Sequence, residues 1–383
     1  MTKDEFSARL AGPATSVGGK IWDALTNPAG EAFPHPFTRH AFFVALEESG
    51  SATAETGWQP IHLLLERGGR PVGLLPLYLK SHSYGEYVFD HAWAEAFARA
   101  GGNYYPKLQA SVPFTPVTGR RLLCEDEESG KLLLEAAASA VKELDASSLH
   151  ITFLTEEEWK LAGENGFLQR TDQQFHWENR GYDAFDAFLG ELSSAKRKTI
   201  RKERDAVRAE GVTFEWLTGK DLSEAVWDDF FAGYIETGSR KWGRPYLSRE
   251  FFSRAGEAMG EQILLVVAKR GGRIIAGALN FFGNGVLYGR NWGAVEAVPL
   301  LHFEACYYQA IEFAIAKGFK RVEAGAQGPH KLMRGYLPRP TYSAHYIQHV
   351  GLRRAVADYL THERAAIADE MKELASAAPF RKA

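Results

Sequence analysis

The sequence of 383 residues lacks three features that would place it in a special class of protein. Its longest apolar run, residues 263–268, is far shorter than the roughly 20 residues that cross a bilayer, so we expect no membrane span. Its two cysteines, Cys124 and Cys306, are too few for a disulfide framework. Its 45 Lys and Arg against 48 Asp and Glu exclude a generally basic nucleic-acid-binding coat. Because no apolar leader segment stands near residue 1, we expect a cytoplasmic protein.

Several catalytic signatures are also missing. Residues 18–20, Gly-Gly-Lys, lack the spacing of a phosphate-binding loop, and residues 283–285, Gly-Asn-Gly, are typical of a hairpin turn. No Gly-x-Ser-x-Gly nucleophile elbow occurs. His345 and His349 are four residues apart, but no Glu follows the first, and the twelve histidines show no metal-ligand spacing. We therefore expect no bound metal.

The composition that is present is typical of a folded globular protein. Hydrophobic residues make up 45% of the chain and charged residues 24%, which excludes a disordered or fibrous polypeptide. At about 150 residues per domain, a chain of this length predicts two or three domains.

An internal repeat indicates how the domains are related. Residues 67–73, Arg-Gly-Gly-Arg-Pro-Val-Gly, return as residues 270–276, Arg-Gly-Gly-Arg-Ile-Ile-Ala, at a constant offset of 203. Apolar strand candidates flank both copies, and each Gly-Gly pair stands where a tight hairpin needs a positive φ. Both copies therefore predict antiparallel hairpins with matching turns.

Each hairpin is followed by a helix and a further strand. Apolar residues recur at helical spacing over 133–144 and again over 301–315, and strand candidates follow at 149–154 and 321–324. The same order of elements in both halves predicts a duplicated α/β domain with mixed sheets. We place the boundary near residue 180, which gives an N-terminal domain of residues 1–180 and a C-terminal domain of residues 181–383.

Helices are predicted outside the repeated elements as well. Residues 182–192 and the basic segment 195–210 have helical patterns, with Ser193 or Ser194 as N-cap and Gly211 as the stop. Thr38 is the expected cap of a helix that runs to about residue 48. A long amphipathic helix is expected over residues 352–374.

Longer motifs carry a resemblance that covers nearly the whole chain. They are His-Pro-Phe at 35–37, Leu-Glu-Glu-Ser-Gly at 46–50, the segment 76–90, Tyr-Tyr-Pro-Lys-Leu at 104–108, Val-Pro-Phe-Thr-Pro-Val-Thr-Gly at 112–119, and His-Phe-Glu-Ala-Cys-Tyr-Tyr-Gln at 302–309. Together they resemble the FemAB-like family of peptidoglycan biosynthesis and recognition. The resemblance implies two tandem Gcn-type acyl-CoA N-acyltransferase domains and transfer of an acyl or aminoacyl group to an amine.

The chain departs from these relatives at two places. The usual pyrophosphate loop before the central helix is replaced by Trp-Gly-Ala-Val-Glu-Ala-Val-Pro at 292–299. The segment 325–331 looks like a family motif in which Pro329 stands where Glu is expected. We therefore expect no tightly bound cofactor, and acyl-CoA and aminoacyl-tRNA both stay open as co-substrate.

The loop that follows the strand at 321–324 is the leading candidate for the chemistry. It combines polar side chains with three glycines after a strand end, a common ligand position in α/β sheets. An imidazole near its usual pKa of about 6.5 suits a general base at neutral pH. The alternative is a solvated surface turn. The candidate residues are His330 as base, Gln327 to orient the acyl group and Glu323 for catalysis, with Lys331, Arg334 and Tyr336 for binding.

Further binding residues are expected in both halves. Arg197 and Arg201 form one helical stripe with Arg204 and Arg208. The stripe could hold phosphates, although a solvated helix face is slightly favoured. Tyr84, Tyr87 and Lys107 are expected to line an acceptor cleft, or else the tyrosines pack in the core. Arg290 stands beside an apolar strand and needs a partner; with residues 241–246 it could form a second wall.

The function predicted from these features is N-acyl transfer onto an amine, with a cell-wall precursor as a candidate acceptor and the active cleft between the two halves. Two alternatives stay open at this point. One is a non-catalytic protein that binds a peptidoglycan precursor or another small ligand. The other is a tRNA-binding protein that uses the arginine stripe.

Overall fold

The computed structural model describes residues 5–242, 245–325, 328 and 330–381. The chain forms two compact units, residues 1–172 with 340–368 and residues 173–339 with 369–383. The sequence boundary near residue 180 assigns the whole C-terminal helix to the second half, whereas most of this helix belongs to the first unit. The physical reason is that Leu352, Val356 and Leu360 are buried in one apolar cluster with Trp93 and Tyr104.

The elements up to residue 178 are strands and helices in mixed order. They are β1 (Phe6–Leu10), α1 (Ala14–Val17), α2 (Gly19–Thr26), α3 (His40–Glu48), β2 (Trp58–Pro60), β3 (Leu63–Arg67), β4 (Arg70–Leu75), β5 (Leu77–Lys80), α4 (His91–Arg99), β6 (Lys107–Ala110), β7 (Leu123–Cys124), α5 (Glu127–Glu143), β8 (Ser148–Leu154), α6 (Glu156–Glu164) and β9 (Leu168–Glu178).

The remaining elements repeat this mixed pattern and end in one long helix. They are α7 (Phe185–Glu191), α8 (Ser194–Ala209), β10 (Thr213–Leu217), α9 (Glu224–Trp242), α10 (Arg249–Met259), β11 (Ile263–Arg270), β12 (Arg273–Gly283), β13 (Val286–Ala294), α11 (Leu301–Phe303), a π-helical turn (Glu304–Tyr308), α12 (Gln309–Ala316), β14 (Arg321–Glu323), β15 (Leu337–Ile347) and α13 (Val350–Ser376).

The first unit contains two strand arrays. The order β1–β3–β4–β7 is antiparallel throughout. The second array has the order β2–β5–β6–β8–β15, in which only β6 and β8 are parallel. Helix α5 contributes Leu133, Leu134 and Ala137 to the apolar cluster that buries one face of these strands.

The second unit is built on strands in the order β10–β11–β12–β13–β14–β9. Neighbouring strands are antiparallel except β13 and β14, which are parallel. The segment from Leu301 to Ala316, the predicted central helix, packs its apolar residues on this sheet together with Trp177, Leu264 and Leu287. Among the residues described, no helix combines the length and apolarity that crossing a bilayer requires.

The two predicted hairpins are confirmed and match in detail. Arg67 pairs with Arg70 and Arg270 pairs with Arg273 at the two turns. The glycines have φ of 57° and 81° in the first turn and 57° and 79° in the second, a region that favours glycine. Both hairpins carry a register shift at the equivalent place, Leu65/Glu66 and Ala268/Lys269, which is the same offset of 203. A shared irregularity of this kind supports duplication of one ancestral domain.

Two helix starts differ from the sequence prediction. Thr38 lies in a short 3-10 turn, Pro36–Thr38, and α3 begins at His40 with Arg39 in the N-cap position. The Thr38 hydroxyl donates to the His35 carbonyl instead of capping the helix. Ser193 does precede α8, but its side chain makes no capping hydrogen bond.

Candidate functional site

The strands β13 and β14 separate soon after they pair. Their parallel register covers only three residue pairs, from Val286 with Arg321 to Tyr288 with Glu323. Beyond that point β13 continues along β12 to Ala294, while the chain after Glu323 turns into the loop 324–336. A loop that leaves a sheet at the carboxyl end of a strand is a favoured position for ligand contacts.

Glu323 ends β14 as a buried carboxyl. Arg321 Nε donates to its Oε1 at 2.9 Å, whereas no described residue hydrogen-bonds Oε2. Burial raises the pKa of Glu323 to about 7, and Arg321 opposes that rise. A carboxyl with this pKa can exchange a proton at neutral pH.

His176, on β9, faces Glu323 and was not found by sequence reasoning. Its Nε2 lies 3.7 Å from Glu323 Oε2, and it also has no hydrogen-bond partner among the described residues. Burial, with Arg321 and Arg339 nearby, lowers the pKa of His176 to about 3, so the contact is not an ion pair. A lone histidine in an alternating strand pattern carries no sequence signal, because its pairing with residue 323 is set by register.

His330 lies on the loop as a half-buried imidazole. Its Nε2 is 3.0 Å from the Tyr307 hydroxyl, and its ring packs against those of Phe303, Tyr307 and His302. Tyr307 comes from the π-helical turn, a helix irregularity that is frequent at functional sites. The imidazole is therefore fixed in orientation while it keeps some exposure.

Gly328 leaves room for that ring. A Cβ built on Gly328 would lie 2.1 Å from His330 Cε1, and the φ of Gly328 is 107°. We expect Gly328→Ala to displace the imidazole from Tyr307 and to lower kcat of the N-acyl transfer predicted from sequence by about tenfold. The thermal midpoint should fall by a few degrees at most. Gly181→Ala, where φ is 92° and a Cβ would meet nothing within 4 Å, separates backbone strain from this clash.

Lys331 is turned into the protein. Its Nζ donates to the carbonyls of Ala324 and Gly325 at 2.6 and 3.1 Å. Burial lowers its pKa to about 8. These bonds tie the middle of the loop to its start, so the ammonium has a structural role. The predicted contact of Lys331 with a substrate anion stays a prediction.

Arg334 is also buried and holds the loop. Its Nε donates to the Tyr308 hydroxyl, Nη1 to the His330 carbonyl, and Nη2 to both carboxylate oxygens of Glu203. Its guanidinium carbon lies 3.6 Å from the centre of the Phe303 ring. Because all three nitrogens are bonded, Arg334 links the backbone of His330 to α8.

Three further candidates have simpler surroundings. Tyr336 is fully buried, with its hydroxyl donating to the Tyr307 carbonyl at 3.3 Å. Arg290 lies half-buried on β13, two residues beyond the last pair with β14. Gln327 lies outside the described residues, as does the Arg244 of the predicted second wall.

The arginine stripe on α8 is not one uniform face. Arg197 is half-buried and Arg201 is exposed, with an ion pair to Asp186 at 3.0 Å. Arg204 is buried, and its guanidinium bonds the carboxylates of Glu304 and Glu312. The prediction that phosphates could reach this face along its whole length is therefore wrong at Arg204, which is buried.

The candidates in the first unit also differ in burial. Lys107 is fully buried and bonds to two carboxylates, whereas Tyr84 and Tyr87 are exposed. In the described part of the chain, no group of three or more His, Cys, Asp or Glu side chains is arranged to hold a metal ion. The predicted cleft between the halves stays a prediction.

Comparison with known proteins places the chain in a family. Residues 14–382 match the FemAB-like family, described as peptidoglycan biosynthesis/recognition, and the chain belongs to that family. No curated protein matches it. The family predicted from the sequence motifs is thus confirmed.

Solved structures with a similar fold include FemX, at 13% identity and a TM-score of 0.55, covering 88% of this chain and 98% of that one. The C-terminal domain of a putative lysylphosphatidylglycerol synthetase from Agrobacterium fabrum has 10% identity and a TM-score of 0.55, covering 89% and 96%. L-PGS from Bacillus licheniformis has 12% identity and a TM-score of 0.52, covering 83% and 96%. The predicted fold class, α/β with mixed sheets and a long C-terminal helix, is confirmed.

Proposed function

We propose that this member of the FemAB-like family is an N-acyltransferase that moves an acyl or aminoacyl group onto a primary amine, with His330 as the general base. One observation carries the proposal, namely that Tyr307 holds a half-exposed imidazole on the loop that follows β14. The family description supports a cell-wall precursor as the acceptor. The similar fold of a putative lysylphosphatidylglycerol synthetase supports an aminoacyl group as the unit transferred.

The chemistry requires that the amine lose a proton as its nitrogen attacks the acyl carbonyl carbon. Burial raises the pKa of Tyr307 well above its usual value, so its hydroxyl stays neutral and can accept a bond from His330 Nε2–H. In that tautomer Nδ1 is the basic nitrogen and takes the proton from the amine. The leaving group of the donor departs when the tetrahedral intermediate collapses, and the imidazolium can return the proton to it.

The other loop residues receive positioning roles in this scheme. Lys331 fixes the start of the loop and Arg334 fixes its middle, because they donate to the carbonyls of Ala324 and His330. Arg290 is assigned to the anionic part of the donor, since it lies on the stretch of β13 beyond its pairing with β14. Gln327 is assigned to orient the acyl carbonyl. This assignment rests on the sequence alone, because Gln327 lies outside the described residues.

Glu323 is assigned as a second group that exchanges protons at neutral pH. Its folded-state pKa of about 7 exceeds its usual 4.5, so the buried carboxyl stabilises the fold only while it is protonated. That stability is present below about pH 4.5 and is lost as pH rises through about 7. We therefore expect Glu323→Gln to gain stability relative to the wild type between pH 5 and pH 8, by roughly 2 to 3 kcal/mol.

Urea unfolding at pH 5, 6, 7 and 8 measures this difference. Glu178→Gln is the matched control, because that carboxylate is exposed and pairs with Arg339 on the same sheet. A Glu323→Gln difference that is flat with pH would show that Glu323 is ionised in the fold. Its assignment as a neutral proton carrier would then be withdrawn.

The transfer reaction itself is tested by a donor and acceptor matrix. The donors are acetyl-CoA, palmitoyl-CoA, and lysyl- and alanyl-tRNA; the acceptors are a uridine-diphosphate muramyl pentapeptide, glucosamine and n-butylamine. Amide formation with at least one pair, lost in His330→Ala and kept in His362→Ala, supports the proposal. Binding of a donor or an acceptor without turnover across the matrix contradicts it and favours the non-catalytic alternative.

A further inference from the structure

Helix α8 carries two charged residues on the side that it turns toward the protein. Ile200 and Val207 are buried on this side, and the positions three and four residues after Ile200 lie between them on the same helix face. An ordinary amphipathic helix has apolar residues there. Helix α8 has Glu203 and Arg204 instead, with side chains that are only 14% and 9% exposed. We call these two residues the α8 pair.

Stability alone gives little reason for the α8 pair. Taking ions out of water costs desolvation free energy that their mutual contacts return only in part. Apolar residues of similar size at such positions are often as stabilising as the ions or more so. The partners of the pair therefore indicate what it does.

Arg204 binds the start of the π-helical turn Glu304–Tyr308. Its Nε and Nη2 donate to Glu304 Oε2 and Oε1 at 3.0 and 2.8 Å, and its Nη1 donates to Glu312 Oε1 at 2.8 Å. Gln309 Nε2 also donates to Glu304 Oε1 at 2.8 Å. The first residue of the turn is therefore held against α8 by a fork of charged hydrogen bonds.

Glu203 binds the end of the same turn. The Tyr308 hydroxyl donates to Glu203 Oε2, and Arg334 Nη2 donates to Glu203 Oε1 and Oε2 at 2.7 and 2.8 Å. Arg334 Nε closes this set with a bond of 2.9 Å to the Tyr308 hydroxyl. Two adjacent residues of α8, with opposite charges, thus hold the two ends of a turn of five residues.

His330 is attached to the turn and to α8 at two points. Its ring atom Nε2 lies 3.0 Å from the hydroxyl of Tyr307, the residue before Tyr308 in the turn. Its backbone carbonyl accepts a hydrogen bond of 2.8 Å from Arg334 Nη1. The group that holds the ring and the group that holds the backbone therefore both depend on contacts with Glu203 or with the turn that Glu203 holds.

A π-helical turn makes such support important. It is a rare irregularity within α-helical structure, so contacts from outside the turn have to stabilise it. Each residue of an α-helix adds about 100° of rotation, so a change of pitch in the turn would swing Tyr307 relative to the rest of the helix. The Tyr307 hydroxyl would then leave the His330 ring.

We propose that Glu203 is a positioning residue that acts on His330 through Arg334 and Tyr308. Its two carboxylate oxygens keep Arg334 on the His330 carbonyl and keep Tyr308 at the end of the turn, so that His330 Nε2 stays on the Tyr307 hydroxyl. The role rests on the proposed function, in which His330 is the general base. It requires no contact between the exposed cations of α8 and a phosphate group.

Steady-state rates of Glu203→Gln, alone and combined with His330→Ala, test this role. The substitution keeps the size of the side chain and removes the charge that holds Arg334. Alone, it should lower kcat of amide formation about tenfold, with KM changed no more than about threefold. Combined with His330→Ala, it should change kcat by less than about twofold, because the group that Glu203 positions is already gone. Asp205→Asn, at an exposed carboxylate of the same helix, is the matched control and should leave kcat unchanged.

A second readout does not depend on turnover. Nitrogen NMR of isotope-labelled histidines reports which imidazole nitrogen carries the proton, and the His330→Ala spectrum identifies the His330 signals. At pH 8 we expect the Nε2–H form of His330 in the wild type and a mixture with the Nδ1–H form in Glu203→Gln. Glu203→Asp keeps the charge but is one methylene shorter, so it should shift both readouts in the same direction by less. It also keeps the test usable if Glu203→Gln fails to fold.

Two outcomes would overturn the positioning role. One is an equal loss of kcat with and without His330, since a general destabilisation acts in both backgrounds. The other is a His330 tautomer that is the same in the wild type and in the Glu203 variants. A shifted tautomer in a protein that transfers no acyl group would support the path from Glu203 to His330 and contradict the proposed function instead.

Discussion

Replacing His330 by Ala is expected to lower kcat of amide formation about 100-fold or more, with KM changed by no more than a few-fold. The imidazole takes the proton from the attacking amine, so its loss acts on the transition state more than on substrate binding. Its position depends on the Tyr307 hydroxyl, 3.0 Å from Nε2. We therefore expect Tyr307→Phe to have a smaller effect, about tenfold on kcat, because the ring packing of Phe303 and His302 remains.

Steady-state rates with the best donor and acceptor pair decide this prediction. His362→Ala, an exposed histidine on α13, controls for the loss of any imidazole. Raising the pH should partly rescue His330→Ala, because a larger fraction of the amine is then neutral without a base. A variant that raises KM alone, with kcat intact, would move His330 from catalysis to substrate binding.

The hairpins were predictable from sequence because their determinants are local. A Gly-Gly pair in each turn supplies the positive φ that other residues rarely adopt, and strand candidates flank it on both sides. The matching register shifts could not be seen in the same way, since a bulge depends on which residues of the neighbouring strand are opposed.

The sequence identified the candidate loop but not the orientation of its side chains. The loop after β14 carries His330, Lys331 and Arg334, and their role in the chemistry stays a prediction. Sequence could not show that the two cations turn inward, because their partners include backbone carbonyls and the distant Glu203. For the same reason the spacing predicts Arg204 as part of an open stripe, because its partners Glu304 and Glu312 are distant in sequence.

The contacts that sequence reasoning missed share a physical cause. His176 and Glu323 meet only through the register of β9 with β14, and His150 and His345 meet only through that of β8 with β15. Each is a single polar residue within a strand, where no spacing rule applies. Long-range pairing of this kind is specified by the whole sheet and leaves no local pattern.

Lys107→Met is expected to lower the free energy of unfolding by about 3 to 5 kcal/mol at pH 8, the range for breaking a buried charge pair by removing one partner. The ammonium donates to both Glu86 and Asp90 and is fully buried with them. Although burial favours the neutral acid, Lys107, with His150, holds the pKa of Asp90 well below its usual value. Without Lys107 both carboxylates would be buried with only Lys80 as a counter-charge.

The loss of unfolding free energy in Lys107→Met should be smaller at pH 5 than at pH 8. The direction of this pH dependence follows from proton binding. Burial raises the pKa of Glu86 to about 7 even with Lys107 opposing it, and removing Lys107 raises that pKa further and raises the pKa of Asp90 as well. Between pH 5 and pH 8 the folded variant therefore holds more protons, relative to its unfolded chain, than the wild type does. Its stability falls more steeply than that of the wild type as pH rises. Urea unfolding at both pH values measures this, with Lys142→Met, an exposed lysine on α5, as the control. A loss under 1 kcal/mol at pH 8, or one that grows toward pH 5, would mean that Glu86 and Asp90 are solvated. The description of Lys107, Glu86 and Asp90 as a buried charged cluster would then be withdrawn.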